Sequence, residues 1–150
     1  MNFIIDIMDE EDLNKIMEIE RSVFSNPWSK RAFKKEINNN NSAIYFTARR
    51  GREILAYIGF WLFDDILHIT NLAVDTKYQK KGVATRLFNM AEHIGQISGH
   101  NNITLEVRIS NEAAISFYKK MGFVVIDRKV NYYTNNNEDA FIMWKVIDNE

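Results

Sequence analysis

Residues 79–84 place a glycine and two lysines between a strand-like segment and a segment with helical periodicity. They read Gln79-Lys80-Lys81-Gly82-Val83-Ala84. A glycine loop in this position directs backbone N–H groups outward at a helix N-terminus, where the helix dipole is positive. Such a loop suits a phosphate group, and the two lysines favour an anionic ligand. The alternative interpretation is a solvated basic turn that ends at a glycine.

The spacing of this loop excludes two common phosphate binders. A P-loop requires G-x-x-x-x-G-K-[ST], and a dinucleotide-binding turn requires G-x-G-x-x-G. Gly82 stands alone, and Ala84 lies where a second glycine would be needed. The pattern that remains is Gln-x-x-Gly-x-Ala.

Glu106 and Tyr118 are candidates for acid–base chemistry. Glu106 lies in an alternating segment in which Leu105 and Val107 point to the opposite face. An isolated buried charge is too costly, so a carboxylate there is paired, hydrogen-bonded or at a cleft. The alternative is a surface glutamate paired with Arg108. For Tyr118, on a predicted helix, the alternative is a core tyrosine whose hydroxyl reaches the surface.

Periodicity and capping signals predict the elements that must position these residues. Strands are predicted at residues 3–7, 43–48, 54–63, 66–74, 103–108, 123–128 and 140–146. Helices are predicted after the caps Asp9 and Ser29, at residues 83–98, and from the cap Asn111 to Gly122. The order β-α-α-β-β-β-α-β-α-β-β implies a mixed sheet with helices on both faces.

Length and composition are typical of one globular domain over residues 1–150. Hydrophobic residues at 46% and aromatic residues at 13% predict a packed core. The formal net charge of −1 argues against a general nucleic-acid binder. The absence of cysteine excludes disulfides, thiolate metal sites and an acyl-cysteine intermediate. The histidines His68, His93 and His100 have no metal-ligand spacing, and their placement is expected to be incidental.

The N-terminal residues lack the basic and the long apolar regions of a signal peptide. No apolar run approaches the ~20 residues that a membrane span requires. We therefore expect a cytoplasmic protein with no membrane contact.

Six segments, taken in order, resemble the GCN5-related N-acetyltransferases (GNAT), and among them the bacterial subfamily that acetylates an N-terminal alanine of a ribosomal protein. The segments are residues 24–29, 71–75, 78–84, 105–111, 117–123, and 131–133 with 138–140. The string Leu-Glu-Val-Arg-x-Ser-Asn, with a tyrosine twelve residues after its glutamate, is the most specific. The resemblance implies an α/β (mixed α+β) GNAT fold, a central mixed, mostly antiparallel sheet of about seven strands flanked by four helices.

The resemblance also implies a role for each matching position. Glu106 would be the general base, acting through water, and Tyr118 the general acid for the coenzyme A thiolate. Backbone groups of three residues would hold the pantetheine arm of acetyl-CoA and polarise its thioester: Leu72, Ala73 and Val74. The remaining cofactor-binding residues would be Gln79, Lys80, Lys81, Gly82, Val83, Ala84 and Thr85 at the pyrophosphate, and Asn111. Gln79 replaces the commoner arginine and Ala84 the commoner glycine, and no metal is implied.

The resemblance places the acceptor between two loops that would enclose a protein N-terminus. Their residues would be Phe24, Pro27, Trp28, Ser29, Tyr132 and Tyr133; the alternative is that these are packed surface aromatic residues. The implied partner is a ribosomal protein N-terminus, with no direct nucleic-acid contact, and the chain is expected to be a monomer or weak dimer.

The reference pKa of an α-amine is near 7.7–8.0 and that of lysine about 10.4. At pH 7 roughly a tenth of α-amines are neutral, several hundred times the lysine fraction. This argument ranks the acceptors but leaves two alternatives open. One is transfer to a lysine side chain or a small-molecule amine, and the other is a non-catalytic acyl-CoA sensor. A sensor has no need of the acid–base pair.

Overall fold

Seven β-strands and four α-helices make up the regular structure of residues 1–147, which the computed structural model describes. The strands are β1 (Ile4–Ile7), β2 (Ala43–Arg50), β3 (Glu53–Phe63), β4 (Ile66–Val74), β5 (Asn102–Arg108), β6 (Val124–Tyr133) and β7 (Glu138–Val146). The helices are α1 (Leu13–Val23), α2 (Lys30–Asn39), α3 (Val83–Ile97) and α4 (Glu112–Lys120). The strands form one sheet in the order β1-β2-β3-β4-β5-β7-β6. The predicted mixed sheet with four helices is confirmed.

Local capping explains where the helices begin. Ser29 and Asn111 accept hydrogen bonds from the backbone N–H groups of Ala32 and Ala114. Asp9 and Asp12 form the predicted capping box, but it starts a short 3-10 turn at Glu10–Asp12 that leads into α1. Gly122 follows α4 with φ of +101°, the conformation that ends a helix.

The parallel pairing between β4 and β5 is short. It joins Ile66 to Asn102, Leu67 to Ile103 and His68 to Thr104. Beyond these pairs both strands continue, β4 to Val74 and β5 to Arg108. The described part of the chain therefore has an opening inside the sheet, bounded by residues 69–74 and 105–108. We call it the β4–β5 opening.

A β-bulge in β4 accompanies this opening. Phe60 of β3 pairs with Ile69, whereas Gly59 pairs with Asn71, so Thr70 is the extra residue. A bulge bends its strand and reverses the side-chain alternation beyond it. Accordingly, Ile69 packs in the core beneath α3 and α4, while Ala73 packs against α1 and α2.

Two apolar clusters cover the two faces of the sheet. Residues of α3 and α4, including Leu87 and Tyr118, pack with Leu105 and Val107 of β5. On the other face, residues of α1 and α2 pack with β2, β3 and β4; they include Leu13, Ile16, Ile19, Phe33, Tyr45, Tyr57 and Ala73. By the alternation of β5, Glu106 lies on the face that α1 and α2 share.

The C-terminal hairpin is longer than predicted. β6 was expected to end at residue 128, but it continues to Tyr133 and pairs with Glu138 of β7. Its register is irregular between Lys129 and Tyr133. Tyr132 and Tyr133 therefore lie at a strand end and not in a loop.

Candidate active site

Glu106 lies at the start of the β4–β5 opening, two residues beyond the last parallel pair. Its side chain is 22% exposed, and its Oε2 is 3.0 Å from Nε2 of His68 on β4. The other ring nitrogen of His68 is 2.7 Å from Oγ1 of Thr104. The His68 ring also packs against Trp61, with 5.9 Å between centroids. The histidine is thus held on both sides and directed at the carboxylate.

The surroundings of Glu106 favour its ionised form. Burial alone would raise the pKa of Glu106, but the hydrogen bond and charge of His68, with the charge of Lys129, hold that pKa below its usual value. At neutral pH Glu106 is therefore an ionised carboxylate at a cleft, as a proton acceptor must be.

One expectation about these residues is wrong, and the pairing named in one alternative is not found. His68 is not incidentally placed, since it contacts Glu106 directly. Arg108 does not pair with Glu106; its guanidinium binds Glu138 at 3.2 Å and lies 3.9 Å from the centre of the Tyr133 ring. The sequence carries no local signal for this contact, because it depends on the register of β4 against β5, which places His68 opposite Thr104.

Replacing His68 by phenylalanine is expected to raise the pKa of Glu106. Phenylalanine can keep the packing against Trp61 but removes the hydrogen bond and the charge that lower this pKa. A base must be ionised, so activity falls as the pH drops through the pKa of Glu106. A higher pKa moves that fall to higher pH.

Carbon NMR of labelled glutamate carboxyl groups measures the Glu106 titration directly. The substitution His93→Phe, at an exposed position of α3, is the matched control. An unchanged Glu106 titration in His68→Phe would contradict the assigned contact.

Tyr118 lies on the opposite face of the sheet, where it is 8% exposed and packs edge-to-face against Phe117 and Phe123. Burial raises the pKa of Tyr118, so its hydroxyl stays protonated at neutral pH. The described residues give this hydroxyl no hydrogen-bond partner, yet it is not sealed from solvent. It is available to donate a proton. Glu106 and Tyr118 thus lie on opposite faces of the sheet.

The 79–84 loop has the backbone expected of an anion site. Gly82 has φ of +83° and Lys80 has φ of +62°. Gly82 precedes α3, and in the described chain no side chain caps that helix. Its first-turn N–H groups therefore remain available to a ligand. Gln79 donates to the carbonyl of Val74 at 3.1 Å, which ties the loop to the end of β4.

Most of the predicted cofactor residues lie on β4 or follow it along the chain, whereas Asn111 follows β5, on the other side of the β4–β5 opening. Leu72, Ala73 and Val74 lie on β4 within the opening, and the loop follows through a short turn at Thr76–Tyr78. Lys80 and Lys81 are exposed, whereas Val83 is buried in the core. Ala84 and Thr85 lie in the first turn of α3. Asn111 caps α4 through its side-chain oxygen.

Substituting Gly82 by alanine is expected to weaken acetyl-CoA binding, on the order of tenfold. A Cβ at Gly82 meets nothing within 4 Å, so the effect arises from the backbone conformation alone. A left-handed conformation costs a non-glycine residue about 1–2 kcal/mol, and relief of that strain redirects the N–H groups.

The control for this prediction is Gly51→Ala in the turn between β2 and β3. Gly51 has φ of +63° and the same open surroundings. It should lose similar stability without losing affinity for acetyl-CoA. Titration calorimetry measures the affinity of both variants for acetyl-CoA. Equal affinities would contradict the assignment of the 79–84 loop to acetyl-CoA binding.

The predicted acceptor residues between α1 and α2 have structural contacts of their own. The Trp28 ring packs on Phe33 with 5.3 Å between centroids, and Ser29 caps α2. Phe24 is half-buried beside the cluster of α1 and α2, and Pro27 is exposed. Trp28 therefore fits the alternative that it is a packed aromatic residue, whereas Pro27 is accessible to solvent.

The tyrosine pair adjoins Glu106. Tyr132 is 41% exposed, and burial together with the charge and hydrogen bond of Glu106 raises the pKa of its hydroxyl. Burial raises the pKa of Tyr133 to about 12, against the lowering effect of Arg108. The Glu106 carboxylate therefore favours the protonated form of the Tyr132 hydroxyl.

Residues 1–147 contain no group of three or more histidine, aspartate or glutamate side chains that could hold a metal ion. Within the same range no helix is both long and apolar enough to cross a membrane.

Residues 13–123 match the Acetyltransferase (GNAT) family model. A Bacillus subtilis relative, provisionally named a ribosomal protein bS18-alanine N-acetyltransferase, is 36% identical over 92% of this chain and 91% of its own length. The crystal structure of the ribosomal-protein-S18-alanine N-acetyltransferase from Escherichia coli has a TM-score of 0.87 at 30% identity, over 98% of this chain and 95% of that one. An N-acetyltransferase from Thermoplasma acidophilum in complex with coenzyme A shares the fold, with a TM-score of 0.81 at 23% identity over 97% and 99% of the two chains.

Proposed function

The chain belongs to the acetyltransferase (GNAT) family, and on that premise we propose that it transfers the acetyl group of acetyl-CoA to a protein α-amine. The acceptor we infer is the N-terminal alanine of a small-subunit ribosomal protein, because two relatives carry that name. Such a reaction would take place in the cytoplasm. The observation that carries the proposal is the ionised Glu106 beside His68 at the β4–β5 opening.

Acetyl-CoA would enter as co-substrate along the β4–β5 opening. The free first-turn N–H groups of α3 suit its pyrophosphate, and exposed Lys80 and Lys81 add positive charge. The backbone of residues 72–74 would polarise the thioester carbonyl, as an oxyanion hole does. These features are the reason to place the cofactor here.

Transfer would be direct, since the chain has no cysteine to carry an acyl group. The neutral amine attacks the thioester carbonyl, forming the new C–N bond. Glu106 accepts the proton from the attacking nitrogen through a water molecule. As the C–S bond breaks, Tyr118 donates its proton to the departing thiolate. Glu106 then releases its proton to solvent, and Tyr118 takes up a proton from solvent.

A coenzyme A release assay tests the acceptor class. The panel consists of short peptides that differ only in the first residue, together with free lysine and polyamines. We expect turnover on peptides with a free α-amine, greatest with alanine first, and none after the N-terminus is blocked. Turnover on a polyamine without turnover on any peptide would overturn the proposal. Binding of acetyl-CoA without turnover on any amine would favour the sensor.

A further inference from the structure

Glu20 is a buried carboxylate at the base of the loop between α1 and α2. It lies in α1 and is only 1% exposed. A carboxylate buried to this extent requires hydrogen-bond donors, because its desolvation is otherwise uncompensated. The acid–base chemistry proposed above makes no use of it.

The groups that act on the Glu20 carboxylate come from three different parts of the chain. The backbone N–H of Trp28 donates to Oε2 at 2.8 Å, and the Tyr57 hydroxyl of β3 donates to Oε1. Burial raises the pKa of Glu20, and the side-chain amide of Asn71 on β4 is one of the groups that oppose this rise. The Asn71 oxygen lies 3.4 Å from the Tyr45 hydroxyl, whose nearer acceptor is Glu36 at 3.0 Å. Glu20 thus joins α1, β3, β4 and the loop.

The loop has little other support for its backbone. Ser25, Asn26 and Pro27 are exposed. Among the described residues, the Trp28 N–H bond to Glu20 is the hydrogen bond that holds the loop between Phe24 and Ser29. Asn71, on the other side of Glu20, immediately precedes the β4 segment 72–74. One carboxylate therefore sets the distance between the loop and the strand that borders the opening.

We propose that Glu20 is a positioning residue that fixes the 24–29 loop relative to β4 and thereby sets the affinity for the acceptor. The proposal rests on the proposed function and on the expectation, from the family resemblance, that this loop encloses the acceptor N-terminus. In the described part of the chain the Glu20 carboxylate accepts no hydrogen bond from residues 72–74 or from the 79–84 loop, so its replacement should not affect acetyl-CoA binding.

Glu20→Gln tests this role at nearly constant volume. Glutamine keeps one acceptor oxygen but replaces the other with an N–H₂ group. That group then faces a hydrogen-bond donor, so one hydrogen bond is lost. The KM for the acceptor peptide should rise about tenfold, as expected for the loss of one hydrogen bond to a charged group. The KM for acetyl-CoA and kcat should change by less than about threefold.

Two control variants separate positioning from general stability. Glu18→Gln changes an exposed glutamate of the same helix, with 65% of its side chain accessible, and should leave every parameter unchanged. Tyr57→Phe removes the β3 donor but keeps the bond to the loop, so it should lower the melting temperature without raising the peptide KM. Equal losses of stability in Glu20→Gln and Tyr57→Phe, with the peptide KM unchanged in both, would overturn the proposal.

Amide hydrogen exchange on the wild-type chain gives a readout that needs neither a variant nor activity. The Trp28 amide should be protected relative to the exposed Asn26 amide. Equal exchange of the two amides would overturn the positioning role even if Glu20→Gln fails to fold. Failure of the wild type to acetylate any peptide, with the Trp28 amide protected, would instead contradict the proposed acceptor.

Discussion

Replacing Glu106 by glutamine should lower kcat about 10²–10³-fold and leave the Kd for acetyl-CoA near its wild-type value. Glutamine retains the size and the contact with His68, but it cannot accept the proton of the attacking amine. The cofactor segments lie on β4 and at α3, so a side-chain substitution on β5 leaves their backbone groups unchanged. The loss should therefore appear in turnover and not in cofactor binding. Coenzyme A release and titration calorimetry measure the two quantities separately.

Glu53→Gln is the matched control for this substitution. Glu53 begins β3 on the surface and pairs weakly with Arg50 at 3.8 Å. Its replacement should leave kcat unchanged, since exposed pairs of this kind contribute little. Wild-type turnover in Glu106→Gln would remove Glu106 from the mechanism.

Replacing Tyr118 by phenylalanine should lower kcat about 10²-fold without lowering the melting temperature. The ring packing against Phe117 and Phe123 survives, and among the described residues the hydroxyl has no hydrogen-bond partner to lose. What disappears is the proton donor for the departing thiolate. Steady-state kinetics and thermal denaturation give the two results.

A change of acetyl donor tests the assigned role of Tyr118 more closely. An acetyl thioester whose thiol has a lower pKa than coenzyme A needs less help to depart. The deficit of Tyr118→Phe should shrink with such a donor, while that of Glu106→Gln should persist. Equal deficits with both donors would show that the Tyr118 hydroxyl acts elsewhere in the reaction.

The local features of the fold were predictable because they depend on near neighbours. Ser29 and Asn111 cap helices as expected, since a side-chain oxygen needs only the N–H three residues ahead. The alternation around Glu106 likewise predicted its face of β5. The predicted end of β6 was wrong. Pairing with β7 extends the strand through polar and aromatic residues, which do not show the alternation of apolar and polar residues that indicates a strand.

The contacts that assemble the site depend on non-local geometry. His68 meets Glu106 only because β4 and β5 run parallel with one particular register, which no local pattern encodes. The bulge at Thr70 reverses the alternation of β4, although the sequence there looks like an uninterrupted strand. The bond from the Tyr57 hydroxyl to Glu20 likewise joins segments that are distant in sequence. The sequence alone therefore did not predict the contacts of the site that depend on long-range pairing.

The position of the transferred acetyl group tests the central claim most directly. A peptide with an N-terminal alanine and an internal lysine is incubated with the enzyme and acetyl-CoA, and tandem mass spectrometry locates the modification. The proposed function predicts a single acetyl group on the α-amine. An acetyl group on the lysine, with the α-amine left free, would contradict it.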